Sequence, residues 1–185
     1  MIDDVLKDAE ERMKKAIEAL KRDLLAIRTG RATPALIERM AVEYYGTPTP
    51  LNQLAQIAAP EPRLLVVTPY DKGSMTIIEK TLQKSEMGFN PSNDGRMIRI
   101  PIPQLTEERR RDMVKMVKHK VEDSRVSIRN IRRDALHSLK EMDTEKMISE
   151  DDHKRAAEKL EDLVHKFIRE AEHTGNAKEA EVLEV

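Results

Sequence analysis

Residues 106–142, TEERRRDMVKMVKHKVEDSRVSIRNIRRDALHSLKEM, carry one amphipathic pattern without a proline. Val114, Val117, Val121, Ile128, Ile131, Ala135, Leu139 and Met142 recur at steps of three, four and seven, which puts them on one face of a helix. Ser124 and Ser138 stand at the weak points of the repeat. Thr106 is placed to cap the first turn, and Glu107 and Glu108 complement the positive end of the helix dipole. A helix through Met142 extends for roughly 50 Å at about 1.5 Å per residue. A helix with such a seam needs partners to cover it.

Two partners are legible on either side. Leu6, Ala9, Met13, Ala16, Leu20, Leu24 and Ile27 follow the same helical period, with Asp3 or Asp4 placed to cap, and predict a first helix ending near Thr29-Gly30. A further helix starts at SEDD, residues 149–152, where Ser149 and Asp152 form a capping-box pattern, and continues through Ala156, Leu160, Leu163, Val164, Phe167 and Ile168. Gly175-Asn176 fits a helix poorly, so residues 177–185 are expected to fray or to form a separate turn. Three such stripes imply an antiparallel three-helix bundle.

The stretch between the first two helices has another character. All nine prolines fall within residues 31–103, together with most of the strand patterns. MAVEYYG alternates before a GTPTP turn, RLLVVTPYD is a buried strand, and SMTIIEKTLQKSEMG is a helix capped by Ser74 and stopped by Gly88. NDG, residues 93–95, is a hairpin turn before the strand RMIRIPIP. The predicted fold class is α+β: a discontinuous bundle of residues 1–30 and 104–185 with an inserted β/α/β domain over residues 31–103. The chain passes into the insertion through RTGRATP and out through PIPQLT, and this double connection could bend as a hinge or form a rigid corner.

Composition narrows the function. Charged residues reach 36 % and aromatics only 3 %, against about 25 % charged in ordinary soluble proteins. No apolar run approaches the ~20 residues that span a bilayer, and the N-terminus is acidic where a signal peptide is basic, so the expected location is the cytoplasm, with no membrane partner. Without cysteine there is no disulfide, thiol nucleophile or thiolate zinc site. The five histidines show no metal-ligand spacing, and the acidic residues of EDDH, 150–153, are explained by a helix start. Glycine-rich phosphate loops are absent, and Ser74, Ser92 and Ser127 have no evident base. The expectation is a protein that is not an enzyme and holds neither cofactor nor metal.

Charge is instead concentrated. Between Arg96 and Arg133 twelve basic residues face five carboxylates, a local excess of +7 within a chain whose net charge is −1. Arg125, Arg129 and Arg132 share a helical face with Arg133 beside them, and few carboxylates on the same helix can neutralise them. The bland alternative is a solvated stripe, or one paired with the acidic third helix, on a protein-binding adaptor or chaperone. Arginine in preference to lysine suits bidentate phosphate recognition, and IRTGRATP adds Arg28 and Arg31. The lack of aromatic stacking residues in the helices favours a folded RNA read by shape and backbone.

IRTGRATPALIERMAVEYYGTPTPLNQLA, IRIPIPQLTEERRRDMVKMVKHKVEDSRVSIRNIRRDA and ISEDD together resemble the corresponding stretches of the bacterial ribosome recycling factor family, over nearly the whole chain. The resemblance implies a three-helix bundle with a β/α/β domain in an L of transfer-RNA-like dimensions. It implies a translation factor that binds the post-termination 70S-type ribosome, mainly through large-subunit rRNA, and splits it with elongation factor G and that partner's GTP hydrolysis. Carried onto this sequence, it assigns RNA contacts to Arg28, Arg31, Arg110, Arg129, Arg132 and Arg133, to which the helical face adds Arg125. Thr29, Gly30, Arg31 and Ala32 on one side, and Pro103, Gln104, Leu105 and Thr106 on the other, match the family's hinge, and the protein is expected to be a monomer.

Overall fold

The structure is a computed structural model that describes residues 1–85 and 87–184. In chain order its elements are α1 (Ile2–Leu25), β1 (Ala41–Tyr44), β2 (Thr47–Pro50), the single turn α2 (Leu51–Leu54), β3 (Ala55–Glu61), β4 (Leu64–Pro69), α3 (Met75–Gln83), β5 (Ser92–Asn93), β6 (Ile98–Pro101), α4 (Glu107–Thr144) and α5 (Glu150–Leu183). They form two compact units, Met1–Leu24 with Val114–Glu181, and Leu25–Met113 with the last residues from Val182. The bounds lie several residues from the expected 30/31 and 103/104, with both connectors falling in the second unit.

In the helical unit the three seams close on one another. Met13, Ile17 and Leu20 of α1, Val117, Ile128 and Leu139 of α4, and Leu160, Val164 and Phe167 of α5 are all buried. Arg125 meets Glu172 and Arg132 meets Glu161, so α4 runs antiparallel to α5, and Arg12 bonds Asp134 between α1 and α4. The expected caps of α4 and α5 are made: Thr106 Oγ1 accepts the Arg109 N–H at 3.1 Å, and Ser149 Oγ accepts the Asp152 N–H at 3.0 Å. The Ser149 hydroxyl and Arg155 hold the Asp152 carboxyl below its ordinary pKa.

Four local expectations give way. α1 stops at Leu25 and not near Thr29-Gly30, and Gly30 takes φ 83°, a left-handed conformation that does not continue a helix. Asp3 and Asp4 lie inside the first turn, where they act on the helix dipole and do not cap. Ser74 does not cap α3, since its hydroxyl donates to the Asp71 carbonyl at 2.7 Å. Nor does the last helix break at Gly175-Asn176: α5 continues to Leu183. A Cβ on Gly175 would lie 2.4 Å from Val121 Cγ2, so the missing side chain is what lets α4 approach. That close packing offsets the ~1 kcal/mol propensity penalty of a mid-helix glycine.

The second unit is built on a four-stranded antiparallel sheet of order β3-β4-β6-β5, beside the two-stranded β1-β2. Leu65 pairs with Ile100 and Val67 with Ile98, and all four are fully buried together with Ile78 and Leu82 of α3. The NDG hairpin turn forms as expected: Asn93 Oδ1 accepts the Gly95 N–H at 2.6 Å, and Asp94 Oδ1 accepts the N–H groups of Arg96 and Met97 at 2.9 Å. Those backbone donors hold the Asp94 carboxyl below its ordinary pKa, with Arg99 adding to the effect. Both connectors are tied to the β3–β4 turn. Ala32 N–H donates to Pro62 O at 2.6 Å and Ile102 N–H to Arg63 O at 2.7 Å.

Candidate nucleic-acid interface

α4 carries four of the expected RNA-contacting arginines in the helical unit, and each has a different environment. Arg125 is half-buried, with Nη1 donating to Glu122 and Nη2 to Glu172, both at 3.0 Å. The Glu122 bond chiefly raises its pKa; desolvation opposes this and Glu172 reinforces it. Arg129 is exposed, 3.5 Å from Glu122. Arg132 donates from Nε to Glu161. Arg133 is exposed and donates to the neutral Asn130 at 2.8 Å, with no carboxylate in ion-pair range among the described residues.

Much of the stripe's counter-charge therefore comes from outside α4, through α5. In the sequence Glu161 is only one of several carboxylates of the acidic helix and Glu172 does not stand out, although their spacing of eleven residues, about three helical turns, places them on one face. These pairs are solvent-accessible, so each stabilises the fold weakly, by about 0–1 kcal/mol.

Arg28, Arg31 and Arg110 belong to the second unit. Arg28 Nη2 donates to Pro103 O at 2.7 Å, while its buried Nε has no partner among the described residues. Desolvation lowers the Arg28 pKa, and the neighbouring positive charge of Arg109 lowers it further. An orphaned donor beside a second cation is a place where an anion would be favourable. Arg109, next to the expected Arg110 at the start of α4, was missed in the sequence because neighbouring cations do not announce which one faces Arg28. Arg31 lies 3.3 Å from Glu184, and Arg110 is half-buried without a carboxylate partner among the described residues.

The expected hinge residues also fall in this unit. Gly30 lies against Leu105, whose Cγ would be 3.9 Å from an added Cβ, and Arg28 ties the inbound connector to the outbound one at Pro103. Ala32 and Leu105 are buried, Pro103 and Gln104 are exposed, and Thr106 caps α4. Thr29 and Gly30 are half-buried and Arg31 is exposed.

This arrangement can hold phosphates through planar guanidinium forks. Among the described residues no group of three or more His, Asp or Glu side chains could hold a metal ion, and no helix is long and apolar enough to cross a membrane.

Comparison with known proteins agrees with the architecture. The sequence profile of the family described as ribosome recycling factor matches residues 20–183. The chain is 55 % identical over 185 residues to the ribosome-recycling factor of Roseiflexus sp. (strain RS-1), covering 100 % of both chains. It is 55 % identical over the same length to that of Thermomicrobium roseum, again covering 100 % of both. A solution structure of the ribosome recycling factor superposes with a TM-score of 0.78 at 41 % identity, covering 100 % of this chain and 98 % of the other. Models for the T. thermophilus ribosome recycling factor and the E. coli elongation factor G bound to the E. coli post-termination complex include a chain matching with a TM-score of 0.69 and 43 % identity, over 100 % of both chains. The chain thus belongs to the ribosome recycling factor family.

Proposed function

We propose that the protein binds the post-termination ribosome and, with elongation factor G and GTP hydrolysis by that partner, splits it into subunits for recycling. The observation that carries the RNA-binding part is the outward set of guanidinium groups on α4, where Arg133 has no carboxylate partner among the described residues and Arg132 is engaged at Nε alone. The T. thermophilus relative placed with elongation factor G on a post-termination complex supports the partners. In this mechanism the protein acts as a cytoplasmic monomer without a cofactor, and it supplies no chemistry. Arg28, Arg31, Arg110, Arg125, Arg129, Arg132 and Arg133 contact phosphates, mainly of large-subunit rRNA. The partner acts on the sheet unit, and the connectors at residues 29–32 and 103–106 flex.

Cosedimentation with 70S ribosomes and isolated large subunits tests the interface. Binding should weaken steeply with salt, because each phosphate contact releases counterions. An Arg129→Glu/Arg132→Glu variant of unchanged helicity should lose it; equal binding by both proteins would return the stripe to a solvated face. The hinge has its own test. Gly30→Pro replaces φ 83° with a value near −65° and should impair splitting more than binding, whereas equal loss of both removes the hinge from the mechanism.

A further inference from the structure

We propose that Glu161 is a positioning residue for Arg132, holding its guanidinium so that the two terminal nitrogens face outward for an rRNA phosphate. The inference rests on the RNA-binding function proposed above and concerns one pair within the helical unit. A guanidinium offers five N–H donors in a plane, and a phosphate takes two parallel ones from one edge. Which nitrogens are already engaged therefore decides what remains for a ligand.

Arg125 and Arg132 differ in that respect. Arg125 donates from Nη1 to Glu122 and from Nη2 to Glu172, so carboxylates already engage both terminal nitrogens and leave a single N–H on each for a phosphate. Arg132 donates to Glu161 from Nε, and its terminal nitrogens make no hydrogen bond among the described residues. Its side chain is 42 % exposed and that of Glu161 37 % exposed, so the terminal edge remains open to solvent. An exposed pair of this kind contributes little to folding. It does restrict a long side chain before the ligand arrives, and removing an ordering cost of that size improves affinity by roughly two- to tenfold.

Binding to 70S ribosomes measured over a salt series, with thermal unfolding alongside, tests this on Arg132→Ala, Glu161→Ala, Glu161→Gln and the Arg132→Ala/Glu161→Ala pair. Arg132→Ala should weaken binding and reduce the salt slope by roughly the 0.7–0.9 expected of one phosphate contact. Glu161→Ala should weaken binding roughly two- to tenfold with an unchanged salt slope, because the contact still forms. Glu161→Gln should restore affinity, since its carbonyl still accepts the Nε–H. The double variant should bind like Arg132→Ala alone. Binding by Glu161→Ala as tight as the parent's or tighter, or an equal loss in the Arg132→Ala background, would overturn the positioning role while leaving the interface intact. An Arg132→Ala variant that binds normally would overturn both.

Discussion

Leu160 in the helical unit and Leu65 in the sheet unit are both fully buried, but different neighbours hold their backbones. Around Leu160 the backbone bonds are local to α5, and only side chains have to meet those of other helices. Leu65 sits in a ladder whose partner, Ile100, lies 35 residues further along the chain. A helix settles its own backbone polar groups, so its outer face is free to carry charge. The arginines of α4 exploit this freedom. In the sheet unit much of the backbone is committed to cross-strand pairing, and both connectors add to it at Pro62 and Arg63.

Truncating each leucine probes the contrast most strongly. Leu65→Ala and Leu160→Ala should each cost about 2–5 kcal/mol in chemical denaturation. Amide exchange should then separate them: Leu65→Ala should expose β3, β4 and β6 while residues 117–139 stay protected, and equal exposure everywhere would erase the distinction. Next comes the close helix approach. Gly175→Val should destabilise by about 1–3 kcal/mol, with part of the loss recovered by Val121→Ala, since the clash is with that side chain. No recovery would place the strain elsewhere.

Caps and turns give smaller effects. Ser149→Ala should cost about 1 kcal/mol through the lost bond to the Asp152 N–H, read as a lower midpoint of thermal unfolding. Asp94 supplies the pH dependence. Its folded pKa lies below its unfolded value of about 3.9, so its stabilisation is present above that pH and is lost as pH falls through the folded pKa. The stability difference between the parent and Asp94→Asn should therefore shrink below about pH 4, and a difference constant with pH would remove the carboxylate's role in the turn.

The sequence was most legible where a rule is local and unbroken. The long period from Val114 to Met142 and the Thr106 cap placed α4 within two residues of its observed end, and the NDG turn was readable from its residue types. Gly175 was not, because its place in a helix is decided by Val121, 54 residues earlier in the chain. Ile27 misled because it continues the apolar period of α1 and is buried, although the helix itself ends at Leu25. The arginine face was visible as a face. Which nitrogens of Arg125 and of Arg132 are engaged depends on how Glu172 and Glu161 arrive from α5, a fact of tertiary register that the spacing of α4 does not contain.

The bonds from Ala32 to Pro62 and from Ile102 to Arg63 bring together two points of the chain seventy residues apart, because Pro62 and Arg63 are consecutive. For the helices this changes the statistics of the linker. Unfolded, the roughly eighty residues between Leu25 and Glu107 form one long random loop. Folded, they count as two short tethers with neighbouring ends. At roughly 0.6 kcal/mol for each doubling of loop length, about three doublings are removed, worth about 2 kcal/mol to the association of α1 with α4. The sheet unit thus acts on the bundle as a staple made of chain entropy, tightening it through what the unfolded polymer loses.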